Sequence, residues 1–361
     1  MQSERYERIM AAVRLEVPDR IPWALWGHFP ALPFLEYYSW EKANRDGEET
    51  ARAHIALLNE LDYKMDLLKV TPFYGYMACK WGSKFPFKNN DESVDWSLVD
   101  VVVKKTDDWQ KLWVLNPRRE LRENLRTVSI LSREIGRGMP FIYTIPSPII
   151  QALYDVSTAD RVHADMKSSP DSLKQGLETI TQTCIDFGKA CIEEGATGIY
   201  LGSGGGEVFW SRMNPTQLEE YALHYDNKIL NALRDAPIRL LHICGDEQAN
   251  AEKNGGLMES GWFRQYSVNA INWWSTSHTQ IPSAKRVYGG SFCLVAGVDH
   301  KRTMRYGTPQ EVENEVKASI EAAGDGRGFI LGPGCTLFQD TPLANFNAVA
   351  RSVEKYGRLK R

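Results

Sequence analysis

No apolar run in the chain approaches the ~18 residues that a membrane-spanning helix needs. No low-complexity or Pro/Gly/Ser-rich tract marks a linker, and basic residues are not in excess. Lys and Arg total 43 against 46 Asp and Glu, a net charge of −3. That balance argues against a nucleic-acid partner or an anionic membrane surface, both of which ask for a basic excess. Only six cysteines are spread over the 361 residues. The opening stretch, Met1-Gln-Ser-Glu-Arg-Tyr-Glu-Arg8, is charged with no apolar segment behind it. An export signal needs such a segment, so a reducing cytoplasm is expected and each cysteine requires its own explanation. Neither a His-Glu-x-x-His zinc motif nor a complete Gly-x-Gly-x-x-Gly fingerprint occurs.

What does recur is a short apolar run followed by a helical pattern. The runs are Ile21–Trp26, Met65–Val70, Phe141–Ile145, Gly198–Leu201, Ile238–Ile243, Val268–Trp273, Cys293–Val298 and Gly328–Leu331. Continuous apolar character is expected of parallel strands covered on both faces. Between them, Leu173, Leu177, Ile180, Cys184, Phe187 and Cys191 draw one stripe on a helix. Thr308-Pro-Gln-Glu311 is a capping box with proline at the first helical position, leading Val312, Val316 and Ile320. Asn214-Pro215 opens another helix, and Phe346, Val349 and Val353 stripe the last one. Eight alternations of strand and helix predict a single α/β domain over residues 1–361, a (β/α)8 TIM-type barrel. A doubly wound open sheet is the rival. The stretch from about Lys80 to Leu112 does not fit the repeat. Its Val99–Lys105 piece predicts a small insertion of short strands after the second strand.

His242-Ile-Cys244 ends the fifth predicted strand, where period-two alternation puts His242 and Cys244 on one face. Cys335 follows the eighth strand in the loop Gly332-Pro-Gly-Cys335. In a barrel the C-terminal ends of all strands open on one rim, so residues some ninety positions apart can converge there. One imidazole and two thiols make a three-ligand zinc set with a position left open. The plainer alternative is that His242 and Cys244 are core residues and Cys335 a small residue beside a tight turn. Two thiolate ligands suit a substrate thiol better than a hydrolytic water, which favours alkyl transfer over hydrolysis.

Trp26 and His28 after the first strand, Tyr74 and Tyr76 after the second, and Trp273 at the sixth fall near the same rim. An aromatic wall there suits a flat ring or a hydrophobic substrate. Glu207, after Gly202-Ser-Gly-Gly-Gly206, is a candidate proton acceptor or labile fourth ligand. Asp246 is a candidate to orient His242, or else a helix cap. Cys184 and Cys191 lie on the helix stripe, and Cys79 and Cys293 lack a partner pattern; all four read as packing residues.

His242-Ile-Cys-Gly245, Gly332-Pro-Gly-Cys-Thr-Leu337 and Asp340-Thr-Pro-Leu-Ala-Asn345 together resemble the uroporphyrinogen decarboxylase superfamily. The likeness is to its zinc-dependent corrinoid methyltransferase branch, typified by methylcobamide:coenzyme M methyltransferase. The opening Arg5–Val13, Val17-Pro-Asp-Arg-Ile-Pro22 and Gly195-Ala-Thr-Gly-Ile-Tyr200 extend the likeness over nearly the whole chain. The resemblance implies a (β/α)8 barrel, with zinc held by His242, Cys244 and Cys335. It implies a methyl group moved between a corrinoid (cobalamin) and a thiol acceptor or methyl ether donor. No Asp-x-His-x-x-Gly segment is present, so a partner carrier protein would bring the corrinoid. The superfamily includes dimers, so a homodimer is compatible. Two departures count. Trp26-Gly-His-Phe29 replaces the Arg-Gln-Ala-Gly-Arg carboxylate clamp of the decarboxylases, and Asn272–Ser277 lacks the acidic pattern of the coenzyme M enzymes. A decarboxylase or lyase without metal, with Arg212 as its rim arginine, is one alternative. A non-catalytic zinc- or tetrapyrrole-binding protein is the other.

Overall fold

The computed structural model describes residues 3–27, 45–62, 64–72, 74–86, 99–136, 138–203, 213–245, 256–277, 279–338 and 340–359. The main elements are α1 (Glu4–Val13), α2 (Gly47–Glu60), β1 (Leu68–Val70), α3 (Arg122–Glu134), β2 (Phe141–Pro146), α4 (Ala159–Ser168), α5 (Pro170–Glu193) and β3 (Gly198–Ser203). They continue with α6 (His224–Ala232), β4 (Ile238–Ile243), β5 (Ala270–Trp273), α7 (Ile281–Tyr288), β6 (Cys293–Val298), α8 (Pro309–Ala323), β7 (Phe329–Pro333) and α9 (Leu343–Tyr356). Seven strands form one sheet in chain order, and every neighbouring pair is parallel. No helix among the described residues is long and apolar enough to cross a membrane.

The expected first strand does not join this ladder. Residues 21–27 make two isolated parallel bridges, Trp23 with Leu331 and Gly27 with Leu337. On one side Ala24 N–H donates to Leu331 O (3.0 Å) and Leu331 N–H to Pro22 O (2.9 Å). On the other, Asp66 N–H donates to Trp23 O (2.9 Å). One segment therefore reaches both ends of the sheet, so the sheet is curled. Pro22 accepts but has no N–H to donate, which interrupts a regular ladder there. The short strands expected over Val99–Lys105 reduce to one antiparallel bridge, Lys84 with Asp100. Val103 is buried instead, its N–H bonded to Val156 O.

Alternation along the strands sorts the core in two. Phe141, Tyr143, Ile199, Leu241, Ile271, Leu294 and Leu331 pack outward with the helices, where the stripe of α5 lies fully buried. Ile142, Tyr200, Leu240, Ala270, Val295 and Ile330 face inward and pack with Ile9, Met10, Ala12 and Val13 of α1. The capping box at Thr308 forms as expected, and Asn214 caps its helix in the same way. Buried Asp66 ties the start of β1 to α1 and the segment beside it, accepting from Arg8 (2.7 Å), Arg20 (2.7 Å) and Trp23 N–H (3.1 Å).

His54 of α2 is buried between two backbone groups. Its Nδ1 meets Thr50 O at 2.7 Å, and Nε2 accepts the Thr71 N–H at 3.0 Å, just beyond β1. Both nitrogens are used in the neutral ring, and burial pushes its pKa down to about 4. The unfolded chain binds a proton here at its ordinary pKa, so the stability His54 supports is full at neutral pH and is lost as pH falls through that window. Relative to His54→Gln, wild type is expected to lose about 2 kcal/mol of stability between about pH 7.5 and about pH 5. Urea unfolding at the two pH values measures this; a constant difference would contradict it.

Candidate metal centre

Three elements deliver the three ligand candidates. His242 is the fifth residue of β4 and 3% exposed. Cys244 follows the strand, held by its N–H to Ser203 O (3.2 Å) at the end of β3. Gly245 then turns the chain with φ +120°, a conformation that a side chain would strain. Cys335 sits in the loop after β7. Gly334 lets that loop lie against β5: a Cβ there would stand 3.1 Å from Trp274 Cα and 3.3 Å from His300 Nδ1. As a result Cys335 Sγ is 3.5 Å from His242 Nε2 and 3.9 Å from Cys244 Sγ. Ligand atoms from all three residues lie within 4.8 Å of one another, and no other such group occurs among the described residues.

The orientation of the imidazole follows from Asn272 on β5, the strand paired with β4 at this level. Its Nδ2 donates to Val295 O (2.7 Å) and Pro333 O (3.0 Å). Both amide hydrogens are thereby committed, so Oδ1 can only accept, and it lies 2.7 Å from His242 Nδ1. Nδ1 must carry the proton, and the lone pair of Nε2 faces the thiols. Tyr200 of β3 stacks on the ring at 5.2 Å and directs its hydroxyl to the same Asn272 oxygen (3.4 Å). The hydrogen bond between the two thiols holds the Cys335 pKa well below its usual range; burial opposes this, while His242 and the charge of His300 add to it.

The other expected site residues divide. Trp26 lies inside the curl, buried and edge-on to Tyr200 at 5.8 Å, and its Nε1 has no hydrogen-bond partner among the described residues. Tyr76 is not brought to this centre: it packs on Tyr143 and Phe187 in the helix layer, its hydroxyl on Thr144 O. Trp273 also faces the helices, because Asn272 beside it faces His242 and alternation turns the next side chain away; its Nε1 bonds Thr279 O (2.7 Å). His28, Glu207 and Asp246 lie outside the described residues, as does the side chain of Tyr74. Asn272, Tyr200 and Lys69 were not anticipated as site residues. Asn272 is the register partner of His242 on the neighbouring strand, a pairing that period-two alternation within one strand does not reveal.

Residues 4–356 match the family described as uroporphyrinogen decarboxylase (URO-D). The chain belongs to that family. Among curated relatives, the methylcobamide:CoM methyltransferase MtbA of Methanosarcina acetivorans is 23% identical over 367 residues, covering 97% of each chain. The uroporphyrinogen decarboxylase of Geobacter sulfurreducens is 24% identical over 251 residues, covering 67% of this chain and 68% of that one. Among solved structures, a methyltransferase from Methanosarcina mazei superposes with a TM-score of 0.81 at 18% identity over 99% of both chains. That likeness carries the fold.

Iodoacetamide near neutral pH is expected to modify Cys335 of metal-free protein well before Cys184, Cys191 and Cys293. Burial pushes those three thiols up, Cys184 to about 12. Peptide mass spectrometry of a time course gives the order, and early labelling of Cys293 would contradict it.

Proposed function

We propose that the chain is a zinc-dependent methyltransferase that moves a methyl group between a corrinoid on a partner protein and a small thiol or methyl ether. The observation that carries this is the convergence of His242 Nε2, Cys244 Sγ and Cys335 Sγ, with the imidazole already turned to present a lone pair. A tetrahedral zinc with Zn–S of ~2.3 Å and Zn–N of ~2.0 Å separates its ligands by ~3.8 Å (S to S) and ~3.5 Å (S to N). The 3.9 Å and 3.5 Å found here match those spacings for two of the three ligand pairs, and the third pair lies within 4.8 Å. The relatives named methylcobamide:CoM methyltransferase match 97% of the chain and favour methyl transfer. The corrinoid and its carrier are carried over from that likeness.

Zinc held here supplies a Lewis acid that lowers the pKa of a thiol or draws electron density from an ether oxygen. The residues of the chain supply the rest. Asn272 fixes the tautomer and angle of His242, and Tyr200 keeps the ring in plane. Cys335 is readily ionised, as a ligand must be. Trp26 offers an apolar wall inside the curl, and His28 and Tyr74 are the further substrate contacts we assign to the rim. Glu207 is the carboxylate we assign to accept a proton, with Asp246 beside the metal motif in support. We read residues 1–361 as one domain, with residues 21–27 serving as the eighth strand of a closed barrel. A metal-free decarboxylase needs a cationic clamp for its substrate carboxylates. Arg212, the rim arginine considered for that role, lies outside the described residues, and Arg8 and Arg20 are already paired with Asp19 and Asp66.

Protein purified without chelator is expected to contain about one zinc per chain, retained by wild type and lost by the Cys244→Ala, Cys335→Ala double variant. Elemental analysis decides this, and absence of zinc from wild type would overturn the proposal. Metal-loaded wild type should transfer methyl from methylcobalamin to a thiol, or from an aryl methyl ether to cob(I)alamin, and the double variant should not. Asn272→Ala frees the ring to rotate and is expected to weaken zinc binding about 10- to 100-fold in a chelator competition. Unchanged affinity would remove Asn272 from the centre.

A further inference from the structure

Arg8 and Lys69 are both buried, and they are treated differently. Arg8 is paired with Asp19 and Asp66. Lys69 of β1, 1% exposed, meets no carboxylate among the described residues. Its Nζ donates to Thr71 Oγ1 (2.9 Å) and lies 4.3 Å from the centre of the Tyr200 ring, the same ring that stacks on His242. The position is held from behind, because the Thr71 N–H is bonded to His54 of α2. Burial pushes the Lys69 ammonium down to about 7, and the opposing negative charges are those of Cys335 and Cys244. A buried cation without a paired anion is costly.

The charge count of the centre then becomes specific. A divalent ion and two thiolates cancel, and the imidazole is neutral. Lys69 adds one positive charge that a neutral fourth ligand leaves uncompensated, whereas an anionic ligand brings the buried cluster to zero. We propose that Lys69 is the counter-charge that biases the open position of the centre toward an anionic ligand, a thiolate over an ether, thioether or water. Lys69 reaches the metal-ligand shell through Tyr200, so it acts through its field and is a specificity-determining residue rather than a catalytic one. The inference rests on the reading of His242, Cys244 and Cys335 as zinc ligands.

Two probes separate the role of charge from that of packing: ethanethiol, which binds as an anion, and its neutral thioether, ethyl methyl sulfide. Affinities are measured by calorimetry on zinc-loaded protein, and by the visible spectrum of the cobalt-substituted form. Lys69→Met is expected to weaken ethanethiol about ten-fold or more, with thioether affinity, zinc content and melting temperature unchanged. If Lys69→Met does not fold, Lys69→Gln, which keeps a donor for Thr71, makes the same comparison. Equal weakening of both probes would reduce Lys69 to a packing residue and overturn the proposal, as would full thiol affinity in the variants. Wild type that holds no zinc would sink the metal-centre reading and this one with it. Zinc-loaded wild type whose thiol affinity survives the substitutions would sink only the role of Lys69.

Discussion

The two amide hydrogens of Asn272 are bound to carbonyls of Val295 and Pro333, and the remaining geometry of the centre follows from that commitment. An amide rotated by half a turn would set its NH2 against His242 and leave two buried carbonyls short of donors, each costing about 1–3 kcal/mol. The oxygen therefore faces the imidazole, the imidazole carries its proton on Nδ1, and Nε2 is left for the thiols. Asn272 also joins β4, β6 and the end of β7 through one side chain. It ties the strand that carries His242 to the strand that leads into Cys335.

A gradient of polarity runs through the inside of the curl. Near α1 the inward residues include the apolar Ile142, Leu240, Ala270 and Ile330. At the carboxyl ends of the strands they give way to Lys69, Tyr200, His242 and Asn272, all buried and each holding a polar partner from another strand or the segment after one. Buried polar groups are tolerable only when they satisfy one another. That is why these side chains form one connected array, anchored to α2 through His54 and Thr71.

Much of this was legible from the chain. The stripe from Leu173 to Cys191 is the buried face of α5, and Thr308 caps α8, because helix periodicity and capping are local effects that need no partner to be recognised. Seven of the eight apolar runs contain strands of the sheet. His242, Cys244 and Cys335 were legible as a set because period two and the shared rim of parallel strands are geometric consequences of the strand pattern. The aromatic wall was less legible. Tyr76 and Trp273 have the right composition and the right neighbourhood in sequence, but one residue of phase turns a side chain to the other face of the sheet.

The sequence by itself determined the order of strands and helices, the parallel sheet they form, and the three residues whose chemistry suits a metal. These depend on patterns within ten or twenty residues and on a topology with few alternatives. Tertiary structure alone decided that Asn272 orients His242, that Tyr200 stacks on it, and that Lys69 lies against the Tyr200 ring. Those pairings join residues 30 to 131 positions apart. Which buried polar group finds which partner depends on strand register and side-chain phase across several strands at once. No single segment of the chain carries that information.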